Sequence, residues 1–207
     1  MIGFGKSRVE SLSDCIFAFS MTLLVIAIEV PVFNPGMTES DLAASLIARI
    51  PDLVHYIIAF LVIAVIWVIH HVQFQKFRVV DHTLLWMNII SLLFIALLPF
   101  STDLAGDFPT FTLPAMIFEA NLLVPGVIFY LEWEYATGNP RLIEPSVSEN
   151  MVRSGRYLAL VIPALSGIAF VIAAAGITGS ILVYALVPFI FLFLYYYQGT
   201  SRPVSRE

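Results

Sequence analysis

Four groups of polar side chains stand within or beside strongly apolar stretches of this 207-residue sequence, and any chemistry it performs must start from them. The first group is Arg8, Ser11, Ser13 and Asp14. The second is Trp67, His70 and His71, and the third is Asp81, His82, Trp86 and Asn88. They offer a guanidinium, carboxylates, imidazoles, an amide and hydroxyls, a set able to satisfy its own hydrogen bonds away from water. Two readings of these clusters stand side by side. One is a hydrogen-bond network that fixes helix packing, with an Arg8–Asp14 pair taking imidazole and amide partners. The other is a direct role in ion binding or proton sensing. His70 and His71 suit a metal ion poorly, because neighbours on a helix point about 100° apart. The fourth group is Glu119 with Asn121, where an acid inside an apolar stretch reads either as a proton or substrate site or as a packed pair.

Other chemistries lack their residues. No Gly-rich phosphate loop or CxxC spacing is present, and Cys15 is the single cysteine, so no intrachain disulfide forms. No nucleophile–base pair has a recognisable spacing, so the chain does not read as an enzyme. No basic run or stacking pattern suggests nucleic acid.

The elements that must carry these groups are membrane spans. The chain is 59% hydrophobic and only 12% charged, about half the charge of an ordinary soluble domain, and its mean hydropathy is +0.92. A bilayer removes the difficulty of burying so much apolar surface, since lipid is the solvent. Runs free of Asp, Glu, Lys and Arg occupy residues 53 to 75, 82 to 102 and 157 to 198. The last is long enough for two spans, with a turn at Gly176 to Gly179. The expected fold is therefore all-α and polytopic, a single domain over residues 1–207 with six transmembrane helices at about 12–31, 53–76, 82–102, 111–136, 153–175 and 179–198. Ser40 to Ile50 reads as a short amphipathic helix capped by Ser40 or Thr38, and Pro51 kinks or restarts it. The acids Glu10 and Asp14 argue against a secretory leader.

Nine of the ten Lys and Arg residues fall on the side that holds both termini, leaving Arg49 alone on the other. The positive-inside rule then places both termini in the cytoplasm and all three N-terminal clusters near one face. The first span is the odd one: its uncharged core, Cys15 to Ile28, is short and bracketed by Asp14 and Glu29. Such a helix belongs within a bundle or along a path. Trp133, Tyr135, Tyr184 and Tyr195 to Tyr197 read as interfacial belt residues, and Ala169, Ala173 and nearby glycines as sites of close helix packing.

Arg8-x-x-x-Leu12-Ser13-Asp14 resembles the R-x-x-x-F-S-D opening of the transmembrane protein 175 family of potassium channels. The following CIFAFSMTLLVIAIEVP, then YIIAFLVIAVIWVIHHVQF and LLWMNIISLLFIALLPFSTDLAGDF, are similar to that family's first three helices, so the resemblance covers about residues 8 to 108. It implies a homotetramer in the plasma (inner) membrane of a prokaryote, with helix one lining a central path for potassium, no bound cofactor and no TVGYG-like filter loop. Larger members of the family carry two repeats and dimerise. It also implies that Phe19, Thr22 and Ile26 face the path, and their i, i+3, i+7 spacing is that of one helix face. Bulky apolar rings close such a path by steric block and dewetting, and Thr22 hydroxyls partly replace an ion's water. Glu29, Glu39, Asp41, Asp52, Asp103 and Asp107 concentrate cations at the outer mouth. The resemblance assigns Arg8, Ser13, Asp14, Trp67, His70, His71 and Asn88 to the signature and packing network. Two residues depart from the pattern: Leu12 replaces the motif phenylalanine, and Phe19 stands where an aliphatic residue is expected. That ring either plugs the path, rotates aside as a gate or packs on a neighbour. The competing reading is a proton-coupled or cation secondary transporter working through Glu119 and the histidines.

Overall fold

A computed structural model describes residues 5–192. Among them every named regular element is helical, and an isolated antiparallel β-bridge joins Phe77 to Ile143. Five helices are long and apolar enough to cross a membrane. α1 runs Lys6–Leu23 and tightens into a 3-10 turn over Leu24–Ala27. α2 is Glu39–Ala48, α3 Ile50–Lys76, α4 His82–Asp107, α5 Thr112–Thr137 and α6 Glu149–Ala174. A shorter helical segment follows over Ser180–Leu192. The remainder of the sixth span expected at 179–198, with Tyr195 to Tyr197, lies outside the described residues.

Where helix ends differ from expectation, the reason is that lipid solubility and helix formation are different properties. α1 begins at Lys6, not near residue 12, because its first two turns are polar but helical, with Lys6 and Glu10 paired at 3.7 Å. It ends before Glu29, not at Pro31. The run Val25, Ile26, Ile28 and Val30 is β-branched, and the residue before a proline is pushed out of the α region. Ile28 is already extended at φ −83°, ψ 99°. α4 overruns its uncharged stretch by a turn to Asp107, and α6 starts at Glu149 behind a Ser148 cap that accepts from the Met151 N–H at 3.3 Å.

The amphipathic helix forms where expected, with Thr38 as its cap: the Thr38 hydroxyl accepts from the Asp41 N–H, and the Asp41 carboxylate accepts from the Thr38 N–H at 2.9 Å. Arg49 then breaks the chain for one residue and Pro51 sits in the first turn of α3, where a missing N–H costs nothing. The GITG turn is present, with Gly176 and Gly179 at φ +83° and +85°.

α5 packs mainly on α6 and α4. Its approach to α6 depends on Gly126 and Gly155. A Cβ at Gly126 would stand 2.9 Å from Pro163 Cδ, and one at Gly155 only 2.5 Å from the Trp133 ring atom Cε2. Ala169 and Ala173 are buried as expected, but Gly167 of the same helix faces open space. α1 packs on α4 in parallel: Ser13 meets Asn88 and Ser20 meets Ile95, an advance of seven residues on both helices. That equal advance is the step of a left-handed helix pair.

Candidate functional site

α1 has two faces with opposite duties. Val9, Ser13, Phe17, Ser20 and Leu24 are buried, and their spacing of three and four residues makes one stripe. On the other side Phe19 is 68% and Ile26 72% exposed, and Thr22 is exposed between them. The helix therefore spends one face on its own protomer and leaves the Phe19–Thr22–Ile26 face free. Thr22 Oγ1 donates to the Phe19 carbonyl at 2.9 Å. Its proton thus turns back onto the helix and its lone pairs are left facing outward. Ile26 lies in the 3-10 turn, which lengthens the rise from Thr22 to about 7 Å and turns the chain further per residue. It remains on the exposed side.

The buried stripe is anchored by polar contacts. Asn88 is the hub: its Oδ1 lies 2.9 Å from His70 Nε2 and its Nδ2 donates to Ser13 Oγ at 3.1 Å. Ser13 also donates to the Val9 carbonyl at 3.0 Å. With the amide oxygen toward it, His70 carries its proton on Nε2. The imidazole is enclosed by Phe74, Phe129 and Phe17 at ring distances of 4.3, 5.2 and 5.6 Å. Two turns further along α1, Ser20 bridges from the Ile16 carbonyl to the Ile95 carbonyl at 3.1 Å. Four buried hydrogen-bonding side chains, Ser13 and Ser20 on α1, His70 on α3 and Asn88 on α4, thus fix the rotation of α1, and with it the direction of the exposed face.

Asp14 takes no part in an Arg8 pair. Its Oδ1 accepts from Trp67 Nε1 at 2.8 Å, and Arg8 is exposed with no ion pair among the described residues. Six residues along a helix turn through about 600°, so Arg8 and Asp14 point about 120° apart. Trp67 in turn stacks on His71 at 5.5 Å, and His71 Nε2 meets Gln75 at 2.9 Å. His70 and His71 therefore face different partners. Of the third cluster only Asn88 joins the hub. Asp81 caps α4 through the Leu84 N–H and accepts from Tyr135, and Trp86 is 59% exposed.

Glu119 and Asn121 are not a pair, since two residues along a helix face nearly opposite ways. Fully buried Glu119 accepts from Ser180 at 3.0 Å and from the Tyr184 hydroxyl, and Asn121 meets Ser101 at 2.9 Å. Tyr184 is thus a buried partner, not an interfacial ring. Trp133 is likewise buried and donates to the Val152 carbonyl at 3.0 Å. Pure hydropathy hid both, because an aromatic with a polar tip suits either a belt or a buried acceptor.

The family model described as "Endosomal/lysosomal potassium channel TMEM175" matches residues 8–99. A potassium channel of Streptomyces collinus is 30% identical over 177 residues, covering 81% of this chain and 84% of that one. One of Chamaesiphon minutus is 30% identical over 184 residues, covering 80% and 90%. The crystal structure of a lysosomal potassium-selective channel TMEM175 homolog from Chamaesiphon minutus superposes with a TM-score of 0.69 at 25% identity, over 96% of this chain and 98% of that one.

Proposed function

Because this chain belongs to the transmembrane protein 175 (TMEM175) family, we propose that it is a passive potassium channel, a homotetramer in which four copies of α1 surround the ion path. The family is one of ion channels, not enzymes. Residues 1–207 serve as one six-helix channel domain in the plasma (inner) membrane of a prokaryote, with both termini in the cytoplasm, as the distribution of Lys and Arg favours.

The observation that carries the reading is the division of α1. A transmembrane helix locked to its own protomer by Ser13, Phe17, Ser20 and Leu24 leaves a continuous free face of Phe19, Thr22 and Ile26. Four such faces around an axis alternate apolar, hydroxyl and apolar rings. The Phe19 and Ile26 rings narrow and dewet the path, and the Thr22 ring offers outward lone pairs to a partly dehydrated cation. Potassium is supported by what the bacterial relatives are named for, and an acidic outer end by Glu29, Asp52, Asp103 and Asp107. The Ser13–Asn88–His70 hub, with the Asp14–Trp67 bond beside it, holds the pore helix in rotation and does not touch the ion.

The test is flux in liposomes containing the purified full chain. Potassium moves down its gradient with no coupled counter-ion, Phe19→Ala makes the current leakier, and crosslinking yields four copies. Saturable exchange at fixed stoichiometry would instead favour the transporter reading, with Glu119 as its first candidate.

A further inference from the structure

We infer that Arg49 tunes the supply of cations to the outer end of α1, as a tethered positive charge that partly cancels the carboxylates gathered there. The inference rests on the channel reading for its effect on current, but not for its effect on the local potential. Arg49 is the only Lys or Arg between residues 9 and 75. It occupies the one-residue break between α2 and α3, at φ −88° and ψ 0°. From that joint its guanidinium forks to two carboxylates. One nitrogen lies 3.3 Å from Glu29, twenty residues earlier, and the other 3.5 Å from Asp52 in the first turn of α3. Glu29 stands three residues past Ile26, where the Phe19–Thr22–Ile26 face runs out.

The charge around this clamp is otherwise negative. Asp103 and Asp107 of α4 line the same cleft as Asp52. The other ion pairs among the described residues, Lys6–Glu10 and Arg156–Glu134, stand at the opposite end of the bundle. Asp41, the next acid along α2, is spent on the Thr38 cap. Arg49 is thus the one positive side chain among the carboxylates at the outer ends of α1, α3 and α4.

The pair is a poor strut. The Arg49 side chain is 39% exposed and that of Glu29 77%, and exposed ion pairs add little to stability. Its field still reaches through water. A charge acts over a Debye length, about 10 Å at 0.1 M salt and about 3 Å at 1 M. Four copies of Arg49, each about one 10 Å Debye length from the axis, lower the cation concentration at the mouth by roughly two- to threefold at 0.1 M salt. At 1 M the same charges lower it by less than about a fifth. Because the charge stands at the outer mouth alone, it limits inward current more than outward current.

The experiment measures the local potential first and the current second. Val30, next to Glu29 and 84% exposed, is replaced by cysteine in a Cys15→Ser background, which removes the exposed native thiol. The full chain in non-ionic detergent is then modified by a cationic and by a neutral methanethiosulfonate, and the ratio of the two rates reports the potential without any conduction. Arg49→Gln raises the cationic-to-neutral ratio by roughly twofold at 0.1 M salt. Arg49→Lys, which keeps the charge, leaves it near wild type, and 1 M salt abolishes the difference. In planar bilayers Arg49→Gln raises inward potassium current by roughly two- to threefold at 0.1 M salt and leaves it unchanged at 1 M. Adding Glu29→Gln to Arg49→Gln brings it back toward wild type. An unchanged ratio in Arg49→Gln, or a changed ratio that persists at 1 M salt and so reports altered structure, overturns the proposal. So does an unchanged inward current in a protein that conducts. A silent protein that shows the salt-dependent ratio keeps the charge effect of Arg49 and discards the channel reading.

Discussion

Replacing Asn88 by leucine tests whether α1 is held in rotation by the buried hub. The side chains share the same branched heavy-atom skeleton, so the shape is largely kept while the polar contacts are lost. Ser13 keeps its bond to the Val9 carbonyl at 3.0 Å and loses little. His70 loses its bond to Oδ1, and its remaining neighbours are the rings of Phe17, Phe74 and Phe129. One buried nitrogen left unpaired costs about 1–3 kcal/mol. Interhelical hydrogen bonds inside membrane proteins average about 0.6 kcal/mol and reach about 1.7 kcal/mol, so the destabilisation belongs in the lower half of the first range. The assay is reversible unfolding in mixed detergent micelles, run as a double-mutant cycle with Ser13→Ala. Asn88→Leu destabilises, and the double mutant loses less than the sum of the two. Wild-type stability for Asn88→Leu, or strict additivity, would refute the argument that these helices are fixed by one shared amide. Ser11→Ala, at an exposed hydroxyl bonded only within its own helix, is the control and stays within about 0.5 kcal/mol.

Thr22→Val removes the hydroxyl at constant shape, and the potassium-to-sodium permeability ratio falls toward one; an unchanged ratio in bi-ionic potentials would exclude Thr22 as an ion ligand. Glu119→Leu strands the Ser180 and Tyr184 hydroxyls and costs about 2–4 kcal/mol at about 1–2 per group. Glu119→Gln, which keeps an acceptor, costs clearly less, and equal melting of the two variants would contradict the pairing. Gly155→Ala drives a methyl into the Trp133 ring and lowers stability by about 1–3 kcal/mol, read as a lower melting temperature in detergent. Gly167→Ala, which meets nothing within 4 Å, leaves it unchanged.

The sequence by itself determined the solvent of this protein, its all-helical class and the approximate place of the first five spans, because twenty apolar residues in a row have few other uses. It also pointed to Thr38, Pro51 and the Gly176–Gly179 turn, whose conformational preferences are local. It drew attention to Ser13, His70 and Asn88 because they are polar side chains at membrane depth. Their wiring was a tertiary matter. Arg8 and Asp14 stand together in the sequence but point apart on the helix, and Asp14 found Trp67 fifty-three residues away. Glu119 lies two residues from Asn121 yet meets Ser180 and Tyr184, more than sixty residues on. Gly126 and Gly155 gained their importance only from Pro163 and Trp133 opposite them. In a membrane the apolar pattern cannot choose between lipid and protein as neighbour, because both are equally apolar. Which face of α1 is free was therefore fixed by the buried hydrogen bonds of the opposite face.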